Sequence, residues 1–448
     1  MKKKHWMVLL GLVAVLGGLG TIAGVMAWRG MYGTERLTGS VVEIPKPSGV
    51  PGPLEKGQAD WPCWRGPRGD GRSPVTGIRL DWSQGLERVW GVDFLCQGRD
   101  AVTWSAPAVQ GNRLVVPGRD DRRDLVFCLD PATGAVVWVG AYEAQTGSGH
   151  GPGSRATPCI DEDRVYTFGR GGDLVCWSLL DGRLLWRHNV REVGGKEPTW
   201  GHSCSPLVYR DRVIVQAGGS ALAVAYDKMT GEVIWKSLEG PAGYAASVLL
   251  GAQEPCGLLV FHAGGLSDLD PNSGRQLWQV PWQTPYHVNA TTPLVAGDIV
   301  FITSGYRTGC EALQVGDARA DVVWRSTVIA SHHSDPVLCD GFLYGYSGQS
   351  DQNGGTFKCV ELASGQEKWA TREMGWGTVV WVDGHLLCMD IKGNLFLVRP
   401  SPDAWHLVTE FRGVLGSVTH PAWTIPVVAN GRIYLRYMQR LVCYRLVP

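Results

Sequence analysis

One short pattern recurs along this chain: an apolar strand, a turn of the form Asp-x-x-Thr-Gly, and a second strand that ends in tryptophan. Its clearest copy is LVFCLDPATGAVVW, residues 125–138, where apolar side chains alternate with the period of a β-strand. In the turn, Asp130 can bond back to the backbone, and Gly134 supplies the positive φ that closes the loop. Further copies, some degenerate, end at Trp186, Trp235, Trp278, Trp324, Trp369 and Trp405.

The copies recur roughly every 45 residues and carry only strand signals. A period of this length without helical patterning is typical of one four-stranded blade of a β-propeller. The sequence therefore predicts an all-β fold in which every copy contributes one blade.

The two ends of the repeat region look like parts of the same blade. Residues 86–90 resemble a tryptophan strand without earlier strands, whereas residues 426–435 and 441–444 resemble inner strands without a tryptophan strand after them. A ring closes when an N-terminal strand completes the last blade, because this removes the open sheet edges. We therefore predict an eight-bladed β-propeller that is closed by an N-terminal strand.

Three basic residues precede a long uncharged run at the N-terminus. As a helix, residues 5–28 would span roughly 36 Å, enough to cross a bilayer. We assign residues 1–28 to a signal anchor or transmembrane helix, and the small-residue sequence at 25–27 leaves a cleaved signal peptide as the alternative. Residues 29–58 then form a Pro/Gly-rich linker and residues 59–448 the propeller, which we expect on the extracytoplasmic, periplasmic side of the membrane.

Charge and cysteine usage narrow the class of protein. The 42 basic and 42 acidic residues cancel without a basic stripe, which argues against nucleic-acid binding. The 12 cysteines include no C-x-x-C pair of the kind found in zinc ribbons and thioredoxin-like sites. Because Cys128, Cys176 and Cys359 occupy equivalent strand positions, we expect structural thiols, and an oxidising compartment leaves one or two disulfides open.

The globular part opens with DWPCWRGP, residues 60–67, which is too rich in Pro and Trp to be a strand. We expect an aromatic clasp that packs on the outside of the domain, with Arg65 stacked on an indole ring. The alternative is that this segment contacts a ligand.

In a propeller, the residues just before the innermost strands surround one mouth of the central channel. Polar and aromatic side chains that meet at such a concave mouth form a binding site, although each can instead hydrogen-bond a neighbouring blade and fill the channel. The candidate binding residues at this mouth are Trp104, Arg155, His202, Tyr244, Asn289, His332, His333, Trp376, His420 and Trp423.

The pair His332-His333 is the sharpest local feature. Adjacent side chains of a regular strand point to opposite faces, so a metal ion would need His202, His287 or His420 as further ligands, and we predict no metal site. No carboxylate pair, nucleophile motif or phosphate-binding loop stands out, so we predict no catalytic residue.

The repeats resemble the PQQ-type β-propeller repeat, whose signature is a strand, an Asp-x-x-Thr-Gly turn and a closing tryptophan. Residues 128–138 and 226–235 match this signature well, and the resemblance covers residues 60–448. Residues 60–67, the pair His332-His333 and residues 430–434 also resemble the PQQ-binding-like envelope propellers of planctomycete-type bacteria.

Two branches of this family imply different functions. Quinoprotein alcohol dehydrogenases carry PQQ with a calcium ion and a disulfide between adjacent cysteines, and this chain has no adjacent cysteine pair. BamB-like propellers bind partner proteins without catalysis. The resemblance therefore implies a membrane-anchored, non-catalytic binding or protein-interaction scaffold, whose partner is an envelope protein or a small ligand at the propeller face. A PQQ-dependent oxidoreductase that uses the channel mouth, with PQQ and calcium as cofactors, is the alternative.

Overall fold

The structure is a computed structural model that describes residues 43–47, 51–98, 101–145, 147, 149–251, 256–349 and 354–448. The helix predicted over residues 1–28 and most of the predicted linker lie outside these ranges. Among the described residues, no helix is both long and apolar enough to cross a membrane.

Eight antiparallel sheets form the propeller, and they confirm the all-β, eight-bladed prediction. Two strands precede the first complete blade, β1 (Arg72–Ser73) and β2 (Arg88–Val92). Blades 1 and 2 contain β3 (Ala108–Gln110), β4 (Arg113–Arg119), β5 (Arg123–Leu129), β6 (Val136–Glu143), β7 (Cys159–Asp161), β8 (Arg164–Phe168), β9 (Asp173–Ser178) and β10 (Leu184–Asn189). Blades 3 and 4 contain β11 (Leu207–Tyr209), β12 (Arg212–Gln216), β13 (Ala223–Asp227), β14 (Val233–Ser237), β15 (Val248–Leu250), β16 (Gly257–His262), β17 (Gly265–Leu269) and β18 (Gln276–Pro281).

Blades 5 and 6 contain β19 (Leu294–Ala296), β20 (Ile299–Ser304), β21 (Gly309–Val315), β22 (Ala320–Ser326), β23 (Val337–Cys339), β24 (Phe342–Ser347), β25 (Thr356–Glu361) and β26 (Glu367–Thr371). Blades 7 and 8 contain β27 (Gly377–Val382), β28 (His385–Asp390), β29 (Leu395–Val398), β30 (Leu407–Phe411), β31 (Val427–Ala429), β32 (Arg432–Tyr437) and β33 (Arg440–Arg445). Two short 3-10 helices cover Val190–Val193 and Pro285–His287.

The ring is closed by a strand from the N-terminal side, as the sequence predicts. Strand β2 pairs antiparallel with β33, and Trp90 lies opposite Cys443. Blade 8 therefore consists of three C-terminal strands and one strand that precedes blade 1 in the chain. This pairing leaves no unpaired edge between the two ends of the propeller.

Six of the eight strand tryptophans are tied to the turn of the next blade, and Trp278 and Trp405 are the exceptions. The indole Nε1 of Trp90 donates to the Pro131 carbonyl at 3.0 Å, and its ring packs on the turn glycine. The same bond links Trp138 to Leu179, Trp186 to Lys228, Trp235 to Pro271, Trp324 to Leu362 and Trp369 to Ser401. Neighbouring blades are therefore joined by repeated, largely buried hydrogen bonds and ring contacts.

The turn glycine is required at this contact for two reasons. Gly231 has a φ of +77°, and a Cβ at this position would lie 2.8 Å from the Trp186 ring. The same arrangement recurs at Gly134, Gly182, Gly274 and Gly365. A side chain would both strain the backbone and push the preceding blade away.

The repeat-equivalent cysteines are core residues. Cys128, Cys176, Cys359 and Cys443 are fully buried, and burial raises the pKa of the Cys443 thiol to about 12. All twelve cysteines lie in the described part of the chain, and their thiols are free there. The four strand cysteines pack as small apolar side chains.

The segment that contains residues 60–67 lies inside the propeller and not on its outside, contrary to expectation. Trp61 exchanges backbone hydrogen bonds of 2.9 and 2.8 Å with Val109 on β3, and the Pro62 carbonyl accepts a bond from Ile160 on β7. Innermost strands present their open edges to the channel, so these bonds satisfy backbone groups that no neighbouring strand reaches. We call residues 60–73 the channel segment.

The channel segment continues across to blades 6 and 7. Arg65 does not stack on an indole ring. Its Nη1 lies 2.9 Å from Asp335 Oδ2, and its Nη2 donates to the Pro336 carbonyl at 2.9 Å, with both charged side chains almost completely buried. Strand β1 then pairs in parallel with β27. The segment thus fills the channel because it bonds to inner strands on both sides of it.

Replacing Gly231 with Ala should destabilise the propeller by about 3 kcal/mol, because the new Cβ strains the backbone and overlaps the Trp186 ring. Gly297→Ala is the matched control, since Gly297 has a φ of +64° but nothing within 4 Å of an added Cβ. We expect that control to lose only about 1 kcal/mol in urea unfolding followed by tryptophan fluorescence. Equal losses in both variants would contradict the role given to the ring contact.

Candidate binding site at the channel mouth

A cavity of about 210 Å³ opens at the mouth formed by the residues that precede the innermost strands. Its described lining is mostly apolar and aromatic, and it consists of Trp64, Trp104, Ala106, His150, Arg155, Trp200, Ser203, Ser205, Tyr244, Ala246, Val288, Ala290, Tyr306, His332, His333, Trp423, Thr424 and Ile425. Six of the ten residues predicted from the sequence are in this set: Trp104, Arg155, Tyr244, His332, His333 and Trp423.

The channel segment supplies the inner end of the cavity. It enters from the opposite face, where Asp60 accepts a hydrogen bond from Gly111 in the turn after β3. It then rises to Trp64, whose indole Nε1 donates to Thr292 Oγ1 at 2.8 Å. Trp64 therefore forms a floor, and the cavity is a blind pocket on one face of the propeller. The alternative that this segment contacts a ligand remains a prediction.

Two histidines at the mouth lie side by side. Residues 332 and 333 form a bend before β23, so the alternation of a regular strand does not apply, and their ring centroids are 4.8 Å apart. The ring of Trp423 lies 5.5 Å from that of His333, and the ring of Tyr306 lies 5.1 Å from that of His332. Burial lowers the pKa of His333 well below its usual value, so its imidazole is neutral at pH 7.

Trp104 and Trp423 form one wall of the cavity. Their ring centroids are 4.8 Å apart, and the Trp104 indole Nε1 donates to the His150 carbonyl at 2.8 Å. The hydroxyl of Thr424 donates to the Trp104 carbonyl, which ties the wall to blade 8. The Trp104 ring is thus held by a hydrogen bond to the loop before β7, and the Trp423 ring is held by packing against it.

Arg155 is the permanent positive charge of the described lining. Its Nη2 lies within hydrogen-bond distance of the carbonyls of Gly149, His150 and Gly151, at 2.9, 3.3 and 3.2 Å. The described lining contains no Asp or Glu. The cavity therefore combines aromatic faces with a permanent positive charge.

Four sequence candidates lie outside the cavity lining. His202 packs against Phe168, with ring centroids 5.0 Å apart, behind the wall. Asn289 is fully buried, and its Nδ2 donates to the His262 carbonyl at 2.8 Å while its Oδ1 accepts from Ser304. Both residues join parts of the scaffold.

Trp376 and His420 also lie behind the lining. The Trp376 indole Nε1 donates to the Gly348 carbonyl at 3.2 Å, and its ring packs 4.9 Å from that of His333. The backbone N–H of His420 donates to the Tyr437 hydroxyl at 2.9 Å. Trp376 thus supports a lining histidine, whereas His420 holds a loop in place.

Sequence reasoning missed Trp64, His150, Trp200 and Tyr306 as lining residues. Trp64 lies in the segment 60–67, which stands out in the sequence for its content of Pro and Trp. Only the path of that segment through the channel brings Trp64 into the cavity. The other three lie in connections between strands, where the repeat defines no equivalent position. Their aromatic character was the one signal that the sequence offered.

The described residues do not fit PQQ with calcium. Calcium takes several oxygen ligands, usually with carboxylates among them, and no described lining residue carries a carboxylate. No group of three or more His, Cys, Asp or Glu side chains in the described ranges is arranged to hold a metal ion. The aromatic rings and Arg155 could contact an aromatic anion, but they do not supply the calcium site.

Eight blades built on a strand, a glycine turn and a tryptophan strand define a PQQ-type repeat propeller. The family model described as outer membrane protein assembly factor BamB matches residues 122–371, more than half of the chain. The protein therefore belongs to this family. The curated protein sequences contain no match.

Solved structures share this fold at low sequence identity. BamB from Moraxella catarrhalis is 15% identical, with a TM-score of 0.57, over 81% of this chain and 98% of that chain. Quinohemoprotein alcohol dehydrogenase from Comamonas testosteroni is 13% identical, with a TM-score of 0.61, over 86% of this chain and 80% of that chain. A europium-containing methanol dehydrogenase is 12% identical, with a TM-score of 0.51, over 85% and 90%. These likenesses establish the fold.

Lowering the pH from 7 to 5 should destabilise the folded protein through His202. Burial, reinforced by Arg191 and Arg170, lowers the pKa of His202 to about 3, so below about pH 6.5 the unfolded chain binds a proton that the folded chain does not. The free energy of unfolding should fall by about 2 kcal/mol between pH 7 and pH 5 from this residue. Stability should continue to fall until the pH approaches the folded pKa.

The variant His202→Gln should remove this part of the pH dependence, whatever its stability at pH 7. His287→Gln is the control, because His287 is exposed. Urea unfolding at several pH values measures both slopes. An unchanged slope in His202→Gln would show that His202 titrates normally in the folded state.

Proposed function

We propose that this protein is a non-catalytic binding scaffold that acts on the extracytoplasmic side of a membrane. In this proposal residues 1–28 form the membrane anchor, residues 29–58 the linker and residues 59–448 the propeller. The observation that carries the proposal is the aromatic cavity at the channel mouth, whose described lining holds no carboxylate.

The cavity favours a ligand group with an aromatic or apolar surface. Its walls offer the rings of Trp64, Trp104 and Trp423, which bury apolar area, and the polar edges come from Arg155 and the two histidines. Arg155 places a permanent positive charge in the described lining, which disfavours a cationic ligand. A neutral or anionic aromatic group, such as a side chain of a partner protein, matches these properties.

Family membership supports a protein partner. The family model is named for an outer membrane protein assembly factor, and the propeller of BamB from Moraxella catarrhalis has the same fold. Membrane attachment through the N-terminal segment would keep such a propeller close to partners in the cell envelope. The partner itself is not identified by these likenesses.

A PQQ-dependent oxidoreductase is the second candidate, and one observation favours it. Quinohemoprotein alcohol dehydrogenase shares the fold, and the cavity combines stacked aromatic rings with a cation at the mouth. A planar anionic cofactor would find both apolar faces and a positive charge there. Against it, the described residues supply neither a calcium site nor a carboxylate base.

Site-specific photo-crosslinking tests the scaffold proposal. A benzophenone-bearing phenylalanine at Tyr306, in the cavity, should crosslink a partner in cells that express the full-length protein. The same residue at Met229 is the control, because Met229 is half exposed in the turn between β13 and β14. Strand alternation places that turn on the opposite face. An adduct formed at Met229 and not at Tyr306 would contradict the proposed binding face.

A further inference from the structure

The channel segment brings two cysteines together that are far apart in the sequence. The Pro62 carbonyl accepts a 2.8 Å hydrogen bond from the backbone N–H of Ile160, so the neighbouring residues Cys63 and Cys159 lie alongside each other. The two thiols are close enough for Cys63 to raise the pKa of Cys159. Cys159 belongs to β7, the innermost strand of blade 2, whereas Cys63 belongs to the channel segment.

The two thiols differ in accessibility. Cys63 is partly exposed, and its Sγ donates to the Gly66 carbonyl at 3.1 Å. Cys159 is buried, and the interaction of its protonated thiol with the Cys63 sulfur, together with burial, raises the pKa of Cys159 well above its usual value. Cys63 is therefore the thiol that an external reagent meets first. Cys159 is placed to react with the oxidised sulfur that forms on Cys63.

We propose that Cys63 and Cys159 are an oxidation site that forms a disulfide, fastening the channel segment to blade 2. The oxidant is a small-molecule or protein disulfide. The Cys63 thiolate attacks one sulfur of that disulfide and releases the first thiol, which leaves a mixed disulfide on Cys63. The Cys159 thiolate then attacks the Cys63 sulfur and releases the second thiol. Two cysteine thiols are oxidised, one external disulfide is reduced to two thiols, and the two cysteine protons end on the released thiolates.

The bond would act on the binding cavity through the next residue. Trp64, the floor of the cavity, follows Cys63 directly, and in the reduced form the segment is held by hydrogen bonds and the Arg65–Asp335 ion pair. A covalent link at Cys63 closes a loop of roughly a hundred residues, a length at which loop-closure entropy gives substantial stabilisation. Oxidation therefore fixes the cavity floor. This inference does not depend on the identity of any ligand.

Mass spectrometry of the full-length protein in detergent tests the proposal. After incubation with oxidised glutathione, alkylation and digestion, we expect a linked pair of peptides that contain Cys63 and Cys159, and two fewer free thiols in the denatured protein. The thermal midpoint should rise by about 5 °C, and dithiothreitol should reverse the rise.

Two serine variants and one control make the outcome decisive. Cys63→Ser and Cys159→Ser should each abolish the linked peptide and the rise in thermal midpoint. If Cys159→Ser does not fold because Cys159 is buried, Cys63→Ser alone is sufficient for the test. Cys256→Ser should keep both, since Cys256 is the other partly exposed cysteine. Twelve thiols that stay free, a glutathione adduct on Cys63 as the final product, or a link from Cys63 to another cysteine would each overturn the proposal.

Discussion

The contact between a strand tryptophan and the turn of the next blade, made by six of the eight strand tryptophans, is the interaction on which this propeller depends. The indole N–H binds a carbonyl of that turn, and the indole ring covers a turn glycine that has a positive φ, as Trp186 does with Lys228 and Gly231. Most repeats therefore carry both halves of an interface with their neighbours. A single repeat cannot satisfy these groups, so the repeats are stable only in a ring, which β2 closes.

The channel segment gives this ring a cavity at one mouth. Innermost strands leave their edges open towards the axis, and residues 60–73 bond to them from the inside, through Trp61 on β3 and β1 on β27. The same segment places Trp64 beneath the mouth, so one stretch of chain both seals the channel and shapes the cavity. Stability and binding are linked here, because a change that loosens the segment would also move the cavity floor.

The sequence was sufficient to predict the eight blades and their closure, because the glycine turn and the tryptophan strand recur at a nearly constant spacing along the chain. It also identified Trp104, Arg155 and Trp423 near the mouth from their places before innermost strands. The sequence could not distinguish these lining residues from His202 and Asn289, which lie outside the cavity lining. The direction of a side chain in a loop depends on contacts with neighbouring blades, which the sequence does not show. The sequence also could not predict the path of the channel segment. The Arg65–Asp335 pair and the Cys63–Cys159 contact that hold it join residues at positions that are not equivalent in the repeats.

Calorimetric titration of the full-length protein in detergent with PQQ and calcium is the most direct test of a non-catalytic cavity. The account predicts no saturable heat, because the described lining offers no carboxylate ligand for calcium. Saturable binding at micromolar concentration or tighter would contradict it, if Trp200→Ala in the cavity abolished the heat and Trp405→Ala in the outer part of blade 7 retained it.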